Sequence, residues 1–236
     1  MDIFTSFAII SLAALVHASF QLSISVLTLL SGHSIGARHS QARLFRLTTS
    51  FVFGAGLMTM LLLSLLSLFL LNIFGDTPKI VWAASCGLLV GVAISIWLLY
   101  YRHEKGTTLW VPRNMADYLN RRTKATKLSA EAFGLGLSSV IGEILFIIAP
   151  LVITALVLIQ LSPIWQLLGI VTYTFISLLS LLTLWVLIGS GHSLGKIQKW
   201  RESNKHFLQF VSGLGLIVLV FFVFVTEILN TGIGIT

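Results

Sequence analysis

Fourteen of the fifteen Lys and Arg residues lie in three short segments, 38–46, 102–127 and 196–205, and the chain between them is almost continuously apolar. In a membrane protein, Lys and Arg stay on the cytoplasmic side. The pattern predicts a polytopic helical bundle with three basic loops, 31–46, 102–131 and 190–206, all facing the cytoplasm. Only Lys79 stands apart.

Composition points the same way. Charged residues make up 10% of the chain, against roughly 25% in soluble domains. The mean hydropathy is +0.98, too apolar for one soluble core, so lipid must solvate the excess. The formal net charge of +7 is read as the positive-inside signal, with some attraction to anionic headgroups. The expected partner is the lipid bilayer, and no nucleic acid is expected. Cys86 is the sole cysteine, which excludes an intramolecular disulfide, a CxxC pair and a thiolate metal cage. The N-terminus carries Asp2 and lacks a basic signal-peptide region, so the first apolar stretch is expected to be a retained span.

A span needs about 20 apolar residues. The candidates are 5–30, 47–73, 80–101, 132–160, 164–189 and 207–229. The expected fold is therefore all-α, one transmembrane domain over 1–236 with six spans and both termini outside. Turn chemistry marks the outer connections, Gly75-Asp76-Thr77-Pro78 and Ser162-Pro163. In the central loop, Met115 to Arg122 reads either as a short amphipathic helix on the inner surface or as a plain basic connector.

Two segments repeat at an offset of 159: SGHSIG at 31–36 with SGHSLG at 190–195, and FVFGAGL at 51–57 with FVSGLGL at 210–216. FGLGL at 133–137 adds a third GxGL. Close helix packing is the preferred reading for Gly54, Gly56, Gly134, Gly136, Gly213 and Gly215. His33 and His192 sit between Ser residues at the inner ends of spans. They read as polar helix caps, with a cytoplasmic gate or metal relay as the alternative.

A fainter relation, at an offset of 126, aligns HASFQLSISVLT (17–28) with EILFIIAPLVIT (143–154). Phe20, Val26 and Thr28 meet Phe146, Val152 and Thr154. With the two spans running in opposite directions, this would be an inverted repeat of three plus three spans.

The run RLFRLTTSFVFGAGLMTMLLL at 43–63 resembles the second span of the CcdA/DsbD transmembrane family. FGLGLSSVIGEILFIIAP at 133–150 looks like its fourth span, and KHFLQFVSGLGLIVLVFF at 205–222 like its last. That family moves electrons through a Cys in span one and a Cys in span four. The corresponding stretches here, 14–24 and 140–150, hold none, so thiol–disulfide chemistry is excluded. The wider superfamily of lysine and divalent-metal exporters shares the layout. The resemblance thus implies transport. The sequence has no nucleotide-binding loop, zinc-protease motif or serine-nucleophile elbow, so no enzyme activity is expected. The expected location is a bacterial plasma membrane.

Glu143 is the only acidic residue deep in any expected span, and His17 lies near the middle of span one. An intramembrane carboxylate costs about 2.5–3.5 kcal/mol or more when charged, which makes it a functional-site candidate. The offset of 126 pairs it with His17. Helical spacing adds Gln21 and Ser25 to His17, and Ser139 and Pro150 to Glu143. Pro150 withholds a hydrogen bond from the Phe146 carbonyl, and discontinuous transporter helices hold cations with such groups.

The first reading of this set is a proton- or cation-coupled site in a small exporter of a cation or small cationic solute. The second is a structural lock between two helices, in a non-transporting scaffold or assembly factor. No resident cofactor is expected. A divalent cation is a candidate cargo, with His17 and Glu143 supplying two metal ligands and weaker donors needed to complete the set.

Overall fold

All regular structure in the computed structural model is helical over the residues it describes, 2–20, 24–28, 30, 41–75, 77–99, 113–190, 200 and 203–229. The helices are α1 (Ile3–Ala18), α2 (Gln41–Phe74), α3 (Lys79–Leu99), α4 (Arg113–Ala125), α5 (Ser129–Gly142), α6 (Ile144–Leu158), α7 (Pro163–Ser177), α8 (Leu179–Gly189) and α9 (Lys205–Val223). A π-helical turn, Phe224–Leu229, continues α9.

The helix ends follow local chemistry. Asp2 is extended and its carboxylate accepts the Thr5 amide at 3.3 Å, which caps α1. Gly75 stops α2 in the left-handed region (φ +55°), where a side chain would be strained. Extended Ser162 followed by Pro163 starts α7. Gln160 donates to the Thr77 hydroxyl at 2.9 Å, so the two expected outer turns lie side by side.

Three helical stretches are long and apolar enough to cross a membrane: Ala42–Phe74, Lys79–Leu98 and Lys205–Leu229. Two helix pairs qualify as broken spans, α5–α6 bent by 79° and α7–α8 bent by 52°. The described residues therefore hold three to five candidate spans. The first expected span, 5–30, is not one helix. α1 ends at Ala18 after 16 residues, and residues 24–28 are helical again beyond a break. Phe53, Leu65, Phe69 and Phe221 are each 60% exposed or more. Apolar surface on this scale needs a cover other than water, which fits an integral membrane protein.

α1 is at the centre, packed by α6, α7 and α9, with Ile9, Ile10, Ala13 and Ala14 fully buried. α2 and α5 make the most extensive helix contact, and the GxGL motifs explain it. A Cβ on Gly54 would strike the Phe133 carbonyl, and one on Gly136 the Phe51 carbonyl and Ala55 amide. The first and third motifs thus cross backbone to backbone, as small residues allow. Gly213 receives the Trp97 indole, while Gly56 and Gly215 each face a methyl, of Leu178 and Val16, 3.0 Å from where a Cβ would sit. Gly134 departs from the expectation: a Cβ there meets nothing within 4 Å. It faces open space rather than a helix.

Aromatic and polar side chains also tie helices together. Trp82 is buried. Trp97 donates to the Phe210 carbonyl at 3.3 Å and stacks on that ring. Gln209 donates to the Ile96 and Trp97 carbonyls at 2.6 and 2.9 Å, which satisfies the C-terminal end of α3. α4 spans the segment expected to be either amphipathic helix or connector. It is a helix, with Leu119 and Thr123 buried and Asn120 and Arg121 exposed.

The crossing of α2 and α5 carries a clear expectation. Gly54→Ala should lower stability by about 1–3 kcal/mol, the usual cost of overpacking. Gly91→Ala, where a Cβ meets nothing within 4 Å, should be neutral. Thermal unfolding in detergent checks both, and equal midpoints for the two variants would refute the close crossing.

Candidate functional site

Three helix breaks meet in one place. The first is the end of α1 at His17 and Ala18, the second is Glu143 between α5 and α6, and the third is Leu178 between α7 and α8. Glu143 (φ −89°, ψ −4°) and Leu178 (φ −87°, ψ −3°) adopt the same conformation. It lies in the sparsely populated region where single residues turn a chain. Around Glu143 the helix tightens locally, with its amide on the Val140 carbonyl at 3.1 Å and its carbonyl taking the Phe146 amide at 2.8 Å.

His17, Glu143, Thr59, Ser177 and Ser180 line a common cavity of about 20 Å³. That is room for roughly one water. Its position is deep in the apolar stretches: Glu143 follows about 20 Å of helix from the start of α5, and Thr59 lies near the middle of α2. His17 and Glu143 are both buried.

A few features of α1 and of α5–α6 fall 126 residues apart in the chain. The offset of 126 carries the start of α1, Ile3, onto the start of α5, Ser129, and carries His17 onto Glu143. Phe20 and its equivalent Phe146 pack against each other with ring centroids 6.0 Å apart. The correspondence stops there, because the break at Leu178 has no match in the continuous α2.

Hydrogen bonding gives the cavity its character. His17 Nδ1 bonds the Tyr173 hydroxyl at 3.0 Å. Ser180 donates across to the Ala18 carbonyl at 2.7 Å, and Ser19 to the Val16 carbonyl at 2.6 Å. The Val16 carbonyl also takes the Ser19 amide at 3.1 Å, so the carbonyls at the end of α1 are bonded by backbone and side chain together. Thr59 donates to the Ala55 carbonyl at 3.0 Å and Ser177 to the Thr174 carbonyl at 2.9 Å. Each hydroxyl has spent its proton on the backbone, so it offers the cavity an oxygen lone pair. The set is rich in acceptors, which suits a cation, a proton or a donating water.

Among the residues expected at the site, His17 and Glu143 are brought together around the cavity. Ser139 is buried and donates to the Gly136 carbonyl at 2.8 Å within its own helix. Ser25 and Pro150 lie outside the cavity lining. Pro150 sits inside α6, seven residues after the bend at Glu143, so the helix breaks before the proline rather than at it. Gln21, His33 and His192 lie outside the described residues. Among the described residues, no group of three or more His, Cys, Asp or Glu could hold a metal. A cation bound at His17 and Glu143 would need hydroxyl or carbonyl oxygens to complete its shell.

Tyr173 is the partner the sequence pattern did not single out. The usable signal was its hydroxyl in mid-helix among apolar neighbours, since a buried phenol needs a hydrogen-bond partner. Beyond the third break lies a second space, an apolar groove of about 410 Å³ between α2 and α7–α8, with Phe53, Met60 and Phe175 on its walls. Leu178 borders both spaces.

Comparison of the chain with protein-family models, curated proteins and solved structures gives no match.

Proposed function

We propose that the chain is a small secondary transporter, an exporter of a cation or small cationic solute, with His17 and Glu143 as its coupling site. The observation that carries this reading is the meeting of three helix breaks around a buried carboxylate. Helices broken at mid-depth are how many secondary transporters bring backbone oxygens and helix ends to a cation. An ionisable residue held there is costly unless it serves the transported charge. The acceptor-rich lining supports a hard cation or a proton over a soft metal. The likeness to the CcdA/DsbD family is part of the proposal, with solute transport in place of electron transfer because the two cysteines are missing.

The proposed topology counts α1 together with the helical residues after its break as a first span. That gives six spans in a three-plus-three arrangement, in a bacterial plasma membrane with both termini outside. The Lys and Arg distribution supports it. In Cys86→Ser protein, single cysteines at Thr77 and Ser203 should label from outside and inside, respectively. Labelling of position 203 in intact cells would overturn the topology.

The narrowness of the cavity favours a second reading, a non-transporting scaffold in which the same groups lock the helices. Flux separates the two. In proteoliposomes, Glu143→Gln should abolish cation or proton flux while the unfolding midpoint in detergent changes little, because Gln keeps shape and hydrogen bonding but carries no charge. His17→Gln should show the same loss, since a shared proton or cation belongs to the pair. Wild-type flux in Glu143→Gln, at unchanged stability, would remove the site from any transport mechanism.

A further inference from the structure

The glycine that packs against nothing opens a second, independent site. α4 and α5 form the arms of a hairpin. Tyr118, Arg122 and Thr126, each four residues apart, face Ala130, Gly134 and Ser138, also four apart, across a cavity of about 270 Å³. Four-residue spacing puts Tyr118 and Arg122 on one face of α4, with Thr126 just past its end, and Ala130, Gly134 and Ser138 on one face of α5. Ala130 and Gly134 keep the wedge open, and a Cβ on Gly134 would still meet nothing within 4 Å.

The apex of the wedge is fixed. Glu131 accepts the Lys127 and Leu128 amides at 2.7 and 3.0 Å, and Arg43 at the start of α2 donates to the Lys127 carbonyl at 3.2 Å. Among the described residues Glu131 is the one acid on the lining, and its Oε2 takes both of those amides. The surrounding charge is strongly positive: from 113 to 127 the chain has Arg113, Arg121, Arg122, Lys124 and Lys127 against Asp117 alone. Tyr118 registers that field. Hydrogen bonds with Arg122 and then Ser138, helped by the Arg122 charge, hold its phenol below the usual range.

We propose that the wedge between α4 and α5 binds the phosphate of an anionic phospholipid headgroup, with Arg122 pairing the phosphate and Tyr118 as a hydroxyl partner, while Ser138 donates to the Gly134 carbonyl at 2.9 Å. Arginine's planar fork matches phosphate oxygens. Lipid is favoured over a free anion because of where the wedge lies. It opens at the start of the bent apolar pair α5–α6, next in the chain to Leu128 (63% exposed), and Ile141 and Leu145 are further exposed apolar residues on that pair. The cavity takes a headgroup, and the acyl chains would lie along that surface. Basic amphipathic helices at the cytoplasmic face are drawn to anionic lipid in any case. The wedge converts that attraction into a specific site. The inference stands apart from the transport reading.

Native mass spectrometry of the full chain tests it, with protein released from nanodiscs of phosphatidylglycerol or phosphatidylcholine. Wild type should retain one phosphatidylglycerol and no phosphatidylcholine. Arg122→Gln should reduce that occupancy by about tenfold or more, as expected for loss of a charge-assisted hydrogen bond. Gly134→Leu fills the wedge without changing charge and should reduce it as much, with an unchanged unfolding midpoint. Ser138→Leu is the second filler should Gly134→Leu fail to fold. Lys124→Gln, which removes a charge outside the lining, should keep the lipid. Wild-type occupancy in the filled variants would overturn the proposal, as would equal losses in Lys124→Gln and Arg122→Gln. Displacement of the lipid by millimolar inorganic phosphate would assign the site to a free anion and overturn the lipid assignment.

Discussion

A helix broken inside hydrocarbon leaves amide and carbonyl groups with no water to bond, and each unsatisfied group there costs several kcal/mol. Much of this architecture follows from that constraint. The chain breaks its helices at Ala18, Glu143 and Leu178; short local bonds hold the backbone at Glu143 and Leu178, and side chains from around the third break reach across to the first. Ser180, just past the third break, donates to the carbonyl of Ala18 at the first. Tyr173, just before the third, bonds His17. Among the described residues no buried side-chain nitrogen or oxygen lacks a hydrogen bond. The first and third breaks are therefore tied together: separating them would cost both the Ser180–Ala18 and the Tyr173–His17 bonds.

Glycine makes that closeness attainable. The α2–α5 crossing at Gly54 and Gly136 draws two backbones into contact, and this brings Thr59 of α2 alongside Glu143. Gly56 then admits the Leu178 methyl, which places the third break against the same helix. Without bulk solvent to drive helices together, packing of this kind carries much of the association. The GxGL motifs and the polar cavity are thus parts of one arrangement.

Much of the scaffold could be read from sequence. Apolar length located the long stretches α2, α3 and α9 to within a few residues, and Gly75 and Pro163 marked the turns. His17 and Glu143 were legible because ionisable groups in apolar runs are conspicuous. The breaks were not. Pro150 drew attention as the expected kink, yet the chain bends at Glu143 after Gly142, and again at Leu178 with no proline near. A bend made by one residue in a turn conformation leaves hydropathy unchanged, so a window of apolar residues reads as continuous. Tyr173 was missed for a related reason: its role depends on which helix lies opposite, and that is tertiary information. Gly134 shared a motif with the packing glycines, but within that one motif on α5 Gly136 serves the crossing and Gly134 an opening.

The central claim is that the breaks in three separate apolar stretches meet at one buried polar site. Disulfide trapping reads this directly. With Cys86→Ser as background, Ala18→Cys and Ser180→Cys place thiols on the two residues joined where the Ser180 hydroxyl lies 2.7 Å from the Ala18 carbonyl; a bridge between them needs Cα atoms about 4.4–6.8 Å apart. Mild oxidation in native membranes should form an intramolecular disulfide in the double variant and in neither single one, seen as a reducible shift on a gel. A double variant that folds with a wild-type melting profile and forms no bridge would contradict the account.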